Sequence, residues 1–165
     1  MELWILGSTL VLLAIASWTD LKSMRIPNAL TAGFAAGGLL FHLIWMGWQG
    51  LLTSLVGGLA GAIPILVVYR FGGIGAGDVK WFGAYGTWSG AAAALQLLAV
   101  SILIGGAISV LLLTLRIRWF RRLGSKLPWP WGKHPARPGR GAVFPFMIAV
   151  APGYVWLQIH AGTII

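Results

Sequence analysis

Two aspartates, Asp20 and Asp78, hold nearly all the acidic chemistry of this 165-residue chain; the third acid, Glu2, lies at the N-terminal tip, where a solvated charge needs no explanation. Each aspartate stands at the end of an apolar run, and an ionisable group at the edge of the hydrocarbon is expensive and points by default to function. Two carboxyls brought within a few ångströms cannot both ionise cheaply, so they share one proton. The ionised partner can then act as general base on a water, while the protonated one polarises a peptide carbonyl and later protonates the leaving amine. Such a pair performs aspartic-protease chemistry.

Asp78 ends a glycine-rich turn, Gly72-Gly73-Ile74-Gly75-Ala76-Gly77-Asp78-Val79-Lys80. Gly73, Gly75 and Gly77 permit positive φ and the close approach of another backbone, as docking of an extended peptide beside an acid requires. Both aspartates also have bland readings. An Asp at a helix N-terminus is a favourable cap and dipole partner, and Asp20 lies near Lys22 and Arg25, with which it could pair at headgroup level. Lys22, Arg25 and Lys80 could equally steer an acidic group of a substrate or contact lipid phosphate.

The elements that must position these residues are apolar. Hydrophobic residues make up 58% of the chain and charged ones 9%, against roughly 25% charged in soluble domains. This composition predicts an integral membrane protein, folded as one domain over residues 1–165 with no room for a soluble domain of ordinary size. The net charge of +9 fits loops facing anionic lipid better than nucleic acid, which is not expected as a partner. With no cysteine, disulfides, iron–sulfur clusters and thiolate zinc sites are excluded. His42, His134 and His160 are scattered, so neither a metal nor another cofactor is expected, and the ten tryptophans suit interfacial anchoring.

The expected fold is all-α, with six membrane crossings. Leu3 to Thr19 is the first, closed by Asp20; nothing basic precedes it, so it is read as retained despite the small-residue pattern Ala14-Ile15-Ala16. Pro27 is placed to open the second helix, from about Asn28 to Met46. A turn at Gly47 to Gly50 precedes a third from Leu51 to about Tyr69, with Arg70 at its exit. Val79 to Leu115 is too long for one crossing of a core about 30 Å thick. A break at Gly86-Thr87-Trp88-Ser89-Gly90 would leave a short fourth helix, about Val79 to Trp88, and a full fifth, about Ala91 to Leu115. Residues 116–140 form a basic, Trp- and Pro-rich loop, and the last crossing runs from about Ala142 to Ile159.

Charge supports the count independently. With six crossings, Lys22 and Arg25, Arg70 and Lys80, and the basic residues of the long loop all fall on one side. The positive-inside rule makes that side cytoplasmic and puts both termini outside. Asp20 and Asp78 then share the cytoplasmic leaflet.

The segments Asp20-Leu21-Lys22-Ser23-Met24-Arg25-Ile26-Pro27-Asn28 and Gly75-Ala76-Gly77-Asp78-Val79-Lys80 together resemble the signature of prepilin peptidases, the type IV leader peptidases among the GxGD aspartyl proteases. The similarity extends through Gly83-Ala84-Tyr85-Gly86-Thr87-Trp88 and more loosely to Val143-Phe144-Pro145-Phe146. The resemblance implies six membrane helices, catalytic aspartates at Asp20 and Asp78, and a cytoplasmic-face site in a bacterial inner membrane. It also implies cleavage of the short basic leader of pilin-like precursors just ahead of their hydrophobic helix. Larger relatives carry a four-cysteine zinc domain between the first two crossings, and bifunctional ones methylate the new N-terminus. This chain has no cysteine and only a short connection there, so it resembles the compact peptidase-only branch, such as that serving Tad-type pili, without N-methyltransferase activity. A rival from another class is a small proton- or cation-coupled transporter component using the same two acids.

Overall fold

The computed structural model describes residues 2–115, 117, 129–131 and 144–160. Among these the regular structure is all helix: α1 (Glu2–Ser23), α2 (Asn28–Arg70), α3 (Ala76–Thr114) and α4 (Met147–His160). Three of the helices, α1, α2 and α3, are long and apolar enough to cross a membrane. Exposure is inverted relative to a soluble protein. Ile44, Trp48 and Leu103 are 78%, 67% and 72% exposed, while Thr9, Ser54, Thr87, Ser101 and both aspartates are buried. An apolar surface this extensive calls for lipid as solvent.

Helix α1 bonds both of its threonine hydroxyls back to the preceding turn, Thr9 to the Ile5 carbonyl at 2.9 Å and Thr19 to that of Ile15 at 3.0 Å. The helix continues a turn past the expected end, so Asp20 lies within it rather than after it. It stops where Met24 adopts a left-handed conformation (φ 52) and donates its N–H to the Asp20 carbonyl at 2.8 Å. That position usually belongs to glycine. Pro27 follows as the N-cap of α2 rather than its first helical residue, its lack of an N–H costing nothing there.

At 43 residues, α2 would be about 65 Å long if straight, twice the hydrocarbon thickness. It folds at Gly47 (φ 61, ψ −148), and α3 at Gly90 (φ 80, ψ 173). Both are conformations that only glycine adopts without strain. The breaks fall inside the two glycine-bearing turns singled out in the sequence, and divide the four helices into six helical arms. Within the second turn, Gly86 to Ser89 remain helical and Gly90 alone breaks. The arm that follows the glycine turn begins at Ala76, three residues earlier than expected.

Backbone contact holds these arms together. A Cβ on Gly57 would collide with the Gly86 carbonyl and one on Gly86 with that of Gly57, while Gly61 lies against the Phe82 carbonyl. On the other side, Trp88 Nε1 donates to the Phe34 carbonyl at 2.7 Å, and a Cβ on Gly38 would lie only 3.0 Å from Thr87 Cβ. Ser54 Oγ donates to the Thr87 carbonyl at 2.7 Å. The arm bearing Asp78 is thereby wedged between the two halves of α2. Small residues that admit such approach are the usual currency of helix association in lipid.

Helix α4 and the residue before it pack on the second arm of α3 at glycines: a Cβ on Gly153 would lie 3.2 Å from Val100, and one on Gly105 would lie 3.2 Å from the Phe146 ring. It meets α1 through a buried 2.7 Å hydrogen bond between Thr9 and Tyr154. Leu12, Ala16, Trp81, Phe82, Leu97 and Val150 fill the space between. Nearly all of the basic loop, and the expected start of the last crossing at Ala142, lie outside the described residues.

Candidate active site

Asp20 comes from the last turn of α1 and Asp78 from the first turn of α3, and each is 6% exposed. Asp78 is held locally. Its Oδ2 accepts the Gly75 N–H at 3.1 Å, and its own N–H donates to the Gly75 carbonyl at 3.2 Å. A buried carboxyl needs such partners, because burial without them costs several kcal/mol, on the order of the loss of hydration. Asp20 is held from far away: its Oδ2 accepts the N–H of Met147, the first residue of α4, at 3.1 Å. One of the four N–H groups left over at the start of α4 is thus satisfied by a side chain of α1.

The capping alternative for Asp78 is therefore realised, and so is a shared cavity. Asp20 and Asp78 together line two adjoining chambers, of about 740 Å³ and about 570 Å³, and Met24 and Gly75 also belong to both. The larger chamber is walled mainly by apolar and glycine residues: Val68, Ile74, Ile102, Gly106, Phe144 and Phe146 among them. The smaller adds the polar side chains Thr19, Ser23, Arg25, Asn28 and Lys80 to apolar ones such as Met24, Ile26 and Pro27. The two acids stand where the two chambers meet, the cationic side chains Arg25 and Lys80 belonging to the smaller.

Of the other residues singled out in the sequence, Gly75 lines both chambers, while Gly77 and Lys80 line the smaller one. Lys80 Nζ donates to Asn28 Oδ1 at 2.8 Å, on the rim of the chamber that both acids also line. Lys22 is exposed and lines neither chamber. The positive φ that Gly73, Gly75 and Gly77 permit is used at none of them; Gly72 (φ 77) takes it instead. Gly75 and Gly77 matter for closeness: a Cβ would lie 3.2 Å from Asp78 Oδ2 at the first and 3.3 Å from Ile26 Cβ at the second. Among the described residues no three of His, Asp and Glu converge as a metal would require. His42 is buried and His160 exposed, each with Nδ1 on the carbonyl four residues back, and His134 lies outside the described residues.

Several contributors escaped sequence reasoning. Met147 acts through its main chain, so no side-chain pattern could reveal it. Asn28 falls within the first quoted segment, but its hold on Lys80 needs the fold. Trp131 Nε1 donates to the Leu21 carbonyl at 2.9 Å, next to Asp20, satisfying a carbonyl left over at the end of α1.

The model of the type IV leader peptidase family matches residues 8–110, a stretch that contains both aspartates. Among curated proteins, the chain is 34% identical over 115 residues to a prepilin leader peptidase/N-methyltransferase of Aeromonas hydrophila, covering 66% of this chain and 39% of that protein. It is 28% identical over 145 residues to the protein of that name from Burkholderia pseudomallei, covering 84% and 45%. For the one from Pectobacterium carotovorum the identity is 30% over 139 residues, covering 80% and 48%. The chain spans less than half the length of these relatives. No solved structure matches it significantly. With its own helices carrying the acids and more than half of its length matched, the chain belongs to the type IV leader peptidase family.

Proposed function

We propose that this protein is an aspartic endopeptidase that removes the short basic leader from type IV pilin-like precursors, using Asp20 and Asp78 as the catalytic pair. The observation that carries the reading is that the two carboxyls, 58 positions apart in sequence, line the same two chambers. In this mechanism one carboxylate takes a proton from a water as it attacks the scissile carbonyl. The other, protonated, donates a hydrogen bond to that carbonyl and then a proton to the departing amine. Both states are regenerated when the proton is passed back. Gly75 leaves room beside Asp78 for the substrate backbone, and Lys80, held by Asn28, supplies positive charge in the smaller chamber.

The same reading carries six crossings with both termini outside, a site facing the cytoplasm of a bacterial inner membrane, and contact with anionic lipids through the basic loop. All twelve Lys and Arg residues fall on one side in that topology. The same reading is one of peptidase activity without N-methyl transfer, supported by the short connection between α1 and α2 and the lack of cysteine in the sequence. The rival transporter reading places its acids near mid-membrane, whereas these two lie at helix ends.

The test is cleavage of a prepilin-like peptide by protein reconstituted in membranes, for the wild type and for Asp20→Asn and Asp78→Asn. Shortening by the wild type and its loss in both folded variants supports the reading. Cleavage by a folded Asp78→Asn variant at the wild-type rate overturns it.

A further inference from the structure

We infer that Asn28 is a positioning residue for the acid pair: through Lys80 it ties the connection between α1 and α2 to the start of α3, and so sets how far the end of the Asp20 helix stands from the start of the Asp78 helix. This rests on the peptidase reading and adds to it a residue that acts through the acids rather than on the substrate.

Each carboxyl takes its hydrogen bond from a different place, Asp20 from Met147 and Asp78 from Gly75. Neither bond joins α1 to the first arm of α3. The join is made by the short connection from Met24 to Pro27, which has little freedom. Pro27 has its φ locked and restricts the backbone of Ile26 before it. Met24 is bonded through its N–H to the Asp20 carbonyl at 2.8 Å and takes φ 52, a conformation that a residue with a side chain keeps only where its surroundings impose it.

This stiff connection grips α3 at two points. Ile26 is buried and seats on Gly77, where a Cβ would lie 3.3 Å from Ile26 Cβ and 3.5 Å from its N. Asn28, the first residue of α2, accepts from Lys80 Nζ at 2.8 Å. Gly77 and Lys80 stand on either side of Asp78 in the chain. An exposed hydrogen bond of this kind contributes little to stability; its value lies in where it is made. Two carboxyls share a proton only at close separation, and a misplacement of about 1 Å can cost about 10²-fold in rate.

The experiment measures kcat and KM on a prepilin-like peptide across pH, in reconstituted membranes, for the wild type, Asn28→Ala, Asn28→Asp, Lys80→Met and the Asn28→Ala/Lys80→Met double variant. Asn28→Ala should lower kcat about 10-fold with KM little changed, within the loss that such a misplacement brings. The two limbs of its kcat/KM profile should draw together, because carboxyls freed to move apart split their titrations less. Among the described residues the charged groups lining the two chambers are Asp20, Asp78, Arg25 and Lys80. Asn28→Ala removes none of them, so the spacing of the limbs reports geometry. Asn28→Asp keeps an oxygen for Lys80 and should retain most of the wild-type kcat at its own optimum. The double variant should lose no more than Lys80→Met alone, as two ends of one tie. A merely structural bond would lower the unfolding temperature and leave the limbs in place. Wild-type kcat and limbs in Asn28→Ala, an Asn28→Asp as impaired as Asn28→Ala, or additive losses in the double variant overturn the inference. If Asn28→Ala does not fold, Ile26→Val, which trims one methyl from the seat on Gly77, decides: narrowed limbs support the tie and unchanged limbs overturn it. A wild type that cleaves no such peptide counts against the peptidase reading. The tie is then read without activity, by amide exchange at Asp78, which should quicken in Asn28→Ala and whose constancy overturns it.

Discussion

The two aspartates are secured by opposite strategies. Asp78 is fixed within three residues, by a ring of hydrogen bonds with Gly75 at the start of its own helix, in an arm clamped by backbone contact at Gly57 and Gly86. Its carboxylate sits where the helix dipole and free N–H groups favour negative charge. Asp20 stands at the opposite end of a helix, where that dipole offers no help, and takes its N–H from Met147, 127 residues away. One acid is placed by local structure, the other by the closure of the whole bundle. The lesson is that an active site can be half encoded in a motif and half in a tertiary contact.

That contrast can be broken most directly at the carboxyls. Asp20→Asn and Asp78→Asn keep an oxygen that can accept the Met147 or Gly75 N–H, so the fold should persist while cleavage falls by about 10²–10⁴-fold or more, the range for loss of a general acid or base. Equal, near-complete loss in both variants, measured as kcat on a prepilin-like peptide, is the expected result; loss in only one would break the symmetry of the chemistry. The pH dependence sharpens the same point. One carboxyl must hold a proton and the other must not, so kcat/KM should be bell-shaped, falling at low pH as both are protonated and at high pH as both ionise. A profile that stays flat through the acid limb would leave no role for a shared proton.

Asymmetry should appear in alanine variants, which remove the acceptor. Asp78→Ala loses a local cap, worth about 1 kcal/mol, and should speed amide exchange at Gly75 alone. Asp20→Ala strips a partner from the start of α4, with a cost of about 1.5–3 kcal/mol for a hydrogen bond to a charged group. It should speed exchange at Met147 and through the first turn of α4. Equal, purely local effects would mean that Asp20 does not tie α4 to α1. The smallest effect is expected at Trp131→Phe, which keeps the ring and removes only the N–H that reaches the Leu21 carbonyl. It should cost about 0.5–1.5 kcal/mol, read as a small loss of thermal stability.

Much of this was legible from the chain. Residues too long for one crossing, with glycines at Gly47 and Gly90, announce where α2 and α3 must fold, since only glycine reaches those backbone angles cheaply. Scarcity of acids isolates Asp20 and Asp78 before any geometry is known. The errors are physical too. Glycine content near Asp78 suggests left-handed turns, but Gly75 and Gly77 are used for closeness, and only Gly72 takes the positive φ. Lys22 and Lys80 look alike in sequence, yet only Lys80, held by Asn28, lines a chamber shared with the acids. The Met147 contact is a main-chain donor with no residue signature, and no spacing rule links it to position 20.

Dependence on Met147 also has a meaning in time. A chain emerging from its N-terminus delivers Asp20 and Asp78 well before the residue whose amide holds Asp20. Until α4 is made and docked, the nascent protein contains both acids but not the finished setting of one of them. On the peptidase reading, the pair is completed only at the end of synthesis, and membrane insertion of the earlier helices proceeds beside carboxyls not yet both fixed in place.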